Sequence, residues 1–82
     1  MYSVFVCDLF HASQPDHEIE VPGFPTREVA IAYARRRLRA SIEENRAATP
    51  EETREKWRIF GEDCRVVGPE GVVYLASAEA QR

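Results

Sequence analysis

Between Val6 and Val21 the chain reads VCDLFHASQPDHEIEV, which sets a cysteine, two aspartates, two histidines and two glutamates in sixteen positions. Thiolate, imidazole and carboxylate are zinc ligands, and a paired Asp and His can act as a general base. Four residues carry that chemistry: Asp8, His11 and His17, with Asp63 further along as a candidate fourth catalytic group. Strand geometry works against convergence at the start of the segment. Cys7 and Asp8 must point to opposite faces, and Cys7 and His11 stand roughly 13 Å apart if the strand stays extended. Asp8 and His11 meet only if the chain curls after Leu9, and His17 returns beside His11 only across a hairpin. The spacing matches no strong ligand motif, so neither a metal nor another cofactor is expected. No serine or cysteine nucleophile is positioned with the histidines. The plainer reading is a polar bend in which a strand-end aspartate accepts from nearby backbone N–H groups.

Three further residues are candidates for ligand binding: Arg35, Trp57 and Glu62. Arg35 belongs to the run RRRLR at 35–39, which invites a nucleic-acid reading through Arg35, Arg36 and Arg39. On a helical wheel these arginines spread through roughly 200°, so they form no single stripe. Arg39 is expected to pair with Glu43 one turn on, leaving a solvated face. Arg35 sits near the edge of the core stripe, within reach of a carboxylate such as Asp8 or Asp63. Trp57 with Phe60 is expected to anchor a helix on a sheet, with an aromatic ligand pocket as the alternative.

The elements that must position these residues follow from residue type. Tyr2–Leu9 is β-branched and aromatic, hence a first strand, and a shorter one is expected over His17–Val21 after the loop ASQPD. VPGFPT turns the chain, and Thr26 caps a helix from Arg27 to about Arg46. Its core stripe is expected to be Ile31, Ala34, Leu38, Ile42 and Asn45, with Val29, Tyr33, Arg36 and Ala40 nearly opposite. TPEE announces a second helix: Thr49 caps, Pro50 takes the first helical position, Glu52 completes a capping box, and Gly61 closes the element after Phe60. CRVV and VVYL flank GPEG and should pair as a hairpin over 64–67 and 72–75, and the tail SAEAQR adds a helical turn. The order β-β-α-α-β-β predicts a single small α+β domain of two layers, an antiparallel sheet with helices on one face.

Composition narrows the function classes. Eighty-two residues with 44% hydrophobic and 30% charged content fit one globular domain near the lower size limit for an independent core. A net charge of −3 gives no overall electrostatic footprint for nucleic acid. The sequence shows neither a membrane span nor a signal-peptide pattern, and Cys7 and Cys64 are too few for a disulfide framework. The expectation is a cytoplasmic protein with two reduced thiols, a bridge between them being the alternative. Alternation makes both faces of the first strand apolar: Tyr2, Val4 and Val6 on one, Phe5, Cys7 and Leu9 on the other. Two helices cover one face, so the second is expected to be covered by a copy of the chain in a homodimer.

The strand end Asp8-Leu9-Phe10-His11, the helix start Gly23-Phe24-Pro25-Thr26-Arg27-Glu28-Val29-Ala30 and the turn Phe60-Gly61-Glu62-Asp63 together resemble a family of short, uncharacterised bacterial proteins. The resemblance spans most of the chain, with Cys7 standing where an acidic residue is expected and Pro22 and Gly23 crowding the helix start. It implies no activity. It does imply that Asp8, His11 and the turn Gly61-Glu62-Asp63 share one corner of the fold. The functional expectation is therefore a non-catalytic, homodimeric binding or interaction module. The alternatives are a small metal-dependent hydrolase using Asp8, His11 and His17, and a weak nucleic-acid binder through Arg35–Arg39.

Overall fold

The computed structural model describes residues 1–11 and 18–80, without the side chains of His11 and Ala80. The expected ASQPD loop and His17 lie outside the described residues. The elements run β1 (Tyr2–Asp8), a 3-10 turn (Leu9–His11), β2 (Ile19–Phe24), α1 (Arg27–Glu44), α2 (Pro50–Phe60), β3 (Glu62–Gly68), β4 (Gly71–Leu75) and α3 (Ala76–Ala80). The four strands form one antiparallel sheet in the order β2-β1-β3-β4. The fold is α+β.

Local chemistry sets the helix starts as expected. Thr26 Oγ1 accepts from Val29 N, and Thr49 Oγ1 from Glu52 N, so each hydroxyl satisfies an amide with no partner inside its helix. Pro50 occupies the first turn of α2. At the far end of α1, Asn45 replaces the expected extension to Arg46: its backbone N–H bonds Ile42 O, and its side chain donates to Ser41 O.

Two strands differ from expectation. β2 begins at Ile19 and runs through Pro22 and Gly23 to Phe24, a stretch expected to be a turn. Between the Tyr2–Phe24 and Val4–Val21 pairs, β2 carries one residue more than β1, and Gly23 at φ +92° absorbs the bulge. Pro22 is tolerated because β2 is an edge strand. β3 begins at Glu62, which moves Glu62 and Asp63 from an expected connection into the ladder, opposite Asp8 and Cys7.

The core lies on one face only. Val4 and Val6 of β1 and Cys64 and Val66 of β3 meet Ala30, Ala34 and Leu38 of α1, Trp57 of α2 and Ala76 of α3. Of the expected stripe, Ala34, Leu38 and the cap residue Asn45 are buried, joined by Ala30 and Ser41, while Ile31 and Ile42 are only half-buried at its edge. Small residues let the helix axis approach the sheet, and Ser41 Oγ accepts from Glu62 N at the sheet rim. Tyr33, expected on the outer side, packs on Phe24 with ring centroids 5.2 Å apart. Among the described residues, no helix is long and apolar enough to cross a membrane.

Candidate functional site

The corner at the end of β1 is partly assembled. Asp8 is the in-register partner of Glu62, and Leu9 N donates to Gly61 O at 2.9 Å, so the strand end and the Gly61 turn do adjoin. Asp63 does not join them. Alternation sets Asp8 and Glu62 on the helix-covered side and Asp63 out of line with them, and the Asp63 carboxylate is held by Ser77 at the start of α3. Each acid also has a structural partner: Asp8 Oδ1 accepts from Phe10 N at 3.0 Å, and Asp63 takes Cys64 N, Ser77 N and Ser77 Oγ. The His11 side chain and His17 lie outside the described residues. Among those described, no three His, Cys, Asp or Glu side chains gather closely enough to share an ion.

The ligand-binding candidates separate as well. Arg35 reaches neither Asp8 nor Asp63; its guanidinium makes a two-pronged pair with Glu79 at 2.9 and 3.0 Å and lies 5.6 Å over the Tyr74 ring. Glu62 accepts from Arg37, which also bonds Tyr33 Oη, so that charge ties α1 to β3. Arg39 does not take Glu43, because Arg46 holds that carboxylate at the C-terminal end of α1. Trp57 is buried, and its Nε1 donates to Glu62 O at 3.0 Å. One edge of the indole also lines a cleft of about 330 Å³ between α1, α2 and Ser77.

The sheet face away from the helices carries a constellation that strand patterning alone left unassigned. Phe5, Arg65 and Glu20 lie side by side across three strands, and Glu18 precedes β2 on the same side. Arg65 lays its guanidinium 4.6 Å over the Phe5 ring and binds Glu18 through both terminal nitrogens at 2.6 and 2.7 Å. That bond holds the Glu18 carboxyl below its ordinary range. Next to it, burial first, then the charges of Glu18 and Asp63, push the Cys7 thiol up. Beyond Arg65, Leu75 and Val72 of β4 stand out at 43% and 61% exposure. The signal for this cluster was the period-two pattern of both strands. The missing information was register, which decides that Arg65 and Glu20 flank Phe5. Comparison with family models, with curated proteins and with solved structures returns no match.

Proposed function

We propose that the chain is a non-catalytic binding module that works as a homodimer, the sheet face around Phe5, Arg65, Val72 and Leu75 meeting the same face of a second copy. The observation that carries this reading is a sheet face left uncovered by the helical layer, on which Val72 and Leu75 stand exposed beside Phe5 and the Arg65–Glu18 pair. The size of the core favours the same conclusion. Among the described residues its nine buried apolar side chains include three alanines and three valines, with Leu38 and Trp57 the large ones. A domain this small gains most from burying further surface by assembly. A second copy suits the face because Arg65 is already neutralised by Glu18, and a paired charge costs less to desolvate than a lone one. Sheet-on-sheet contact about a two-fold axis is self-complementary by construction. A cytoplasmic setting agrees with Cys7 and Cys64 being free thiols on opposite faces of adjacent strands, where no bridge can form.

Sedimentation across a concentration series tests the assembly. The expected species at high concentration has twice the 9.4 kDa chain mass, and Val72→Glu or Leu75→Glu returns it to the single-chain mass without loss of fold. A single-chain mass at every concentration would overturn the proposal.

A further inference from the structure

The cleft between α1 and α2 lies in the helical layer, away from the sheet face used for assembly. Its two walls are graded in the same way. On α2, Trp57 is buried and Arg54, one turn earlier, is exposed; on the facing side, Ile42 of α1 is half-buried and Arg46, just past the end of that helix, is exposed. Ala47 and Pro50 continue the apolar lining. Among the described residues no acidic one lines it, although the chain carries fourteen acids against eleven basic residues.

The walls are also fixed in advance. Thr53 Oγ1 accepts from Ala47 N at 2.8 Å and donates to Thr49 O at 3.0 Å, which ties the connection after α1 to the first turn of α2. Ser77 Oγ is committed to Asp63. Such prior ordering lowers the cost of binding. Among the described residues Arg46 pairs with Glu43 alone, and both side chains are more than 60% exposed, so the pair is weak enough to yield to a better acceptor. Arg54 has no ion-pair partner among the described residues.

From this arrangement we infer that the cleft is a binding site for a small amphipathic anion, its apolar body against Trp57 and Ile42 and its carboxylate between Arg54 and Arg46. A volume of about 330 Å³ is at the lower end for ligand sites and suits a body of roughly six to ten carbons. The inference stands apart from the dimer.

Trp57 is the only tryptophan, so its emission reports on this site. The full chain is titrated with octanoate, with 1-octanol and with inorganic phosphate, and amide shifts are recorded in parallel. Octanoate is expected to change Trp57 emission saturably on the order of millimolar concentrations, and to move the Ala47, Thr53 and Trp57 amides. Octanol is expected to bind at least about tenfold more weakly, and phosphate to leave Trp57 unchanged, because the site needs both charge and apolar body. Arg54→Gln and Arg46→Gln, both at exposed positions, are each expected to weaken octanoate about tenfold and leave octanol unaffected. Equal binding of octanoate and octanol, full octanoate affinity in both variants, or no saturable response would each overturn the inference. Sedimentation of the same samples reads assembly separately.

Discussion

Gly61 lies flat against the indole of Trp57, four residues earlier, while its own N–H bonds the Trp57 carbonyl at 2.7 Å. A β-carbon at position 61 would overlap Trp57 Cδ1 and stand 2.6 Å from the Trp57 carbonyl oxygen. The backbone there is ordinary, at φ −86°, so the requirement for glycine is one of space and not of conformation. Gly61→Ala is therefore expected to cost about 1–3 kcal/mol, the usual range for overpacking a filled site. Urea unfolding would show a lower midpoint with an unchanged slope. Trp57 emission should shift to the red as the ring is displaced. A variant as stable as the parent would show that the indole has room to move.

Asp63 acts as a cap for a helix that it does not belong to. Its carboxylate accepts from Ser77 N at 3.0 Å and Ser77 Oγ at 2.6 Å, at the start of α3, and from its neighbour Cys64 N at 2.8 Å. The first amides of a helix have no internal partner, so removing this acceptor leaves them to water. Asp63→Ala is expected to cost about 1–2 kcal/mol and to speed hydrogen exchange at Ser77. Asp63→Asn keeps one acceptor oxygen and should lie between variant and parent. Unchanged exchange at Ser77 in the alanine variant would remove the capping role.

Much of this frame was legible because it is written in local chemistry. Thr26 and Thr49 were readable as caps from their position before helix-forming residues, Pro50 from its fixed φ, and the antiparallel α+β class from the order of the elements. What was not legible depends on register and on contacts distant in sequence. Asp63 was expected beside Asp8 from the resemblance, in a turn before the third strand, yet the ladder pairs Asp8 with Glu62 and Asp63 with Cys7. Arg35 was expected on a buried carboxylate and found Glu79, forty-four residues away on α3. Ser41 escaped notice because a serine does not stand out on an apolar stripe, although its hydroxyl takes the first amide of β3.

The two thiols should differ sharply in behaviour. Cys64 is buried in the core, and desolvation pushes its thiol up to about 12 from an ordinary 9.0. A thiol whose pKa is raised by folding stays protonated in the folded chain while the unfolded chain ionises. Stability is therefore complete below about pH 9 and declines as pH rises from 9 toward 12, at a limiting slope of about 1.4 kcal/mol per pH unit. Cys7 is raised in the same direction and adds to the loss. Urea midpoints at pH 8 and 10 should fall less in Cys64→Ala than in the parent, once its lower stability at pH 8 is subtracted. In thiol labelling at pH 8, Cys7 should react first and Cys64 only through unfolding. Equal labelling rates would contradict the burial.

Glu18 and Arg65 give the opposite limb of the pH profile. The two-pronged bond from Arg65 holds the Glu18 carboxyl below its ordinary 4.5, while Arg65 itself is further stabilised as a cation. A carboxyl depressed by folding contributes its stability in full above the ordinary range, and the contribution is lost as pH falls through the folded value below 4.5. The side chains are 34% and 27% exposed for Arg65 and Glu18, so solvent screening limits the pair to about 1 kcal/mol or less. Glu43 is depressed by Arg46 in the same sense, but both side chains lie largely in solvent, so the pair leaves little imprint on stability. Glu18→Gln should therefore lower the melting temperature slightly at pH 7 and flatten the decline as pH falls below 4.5. High salt should shrink the difference between variant and parent at pH 7, because the pair is partly open to screening. If variant and parent lose the same stability on acidification, the pair that covers Phe5 is not what holds β2 to that face at neutral pH.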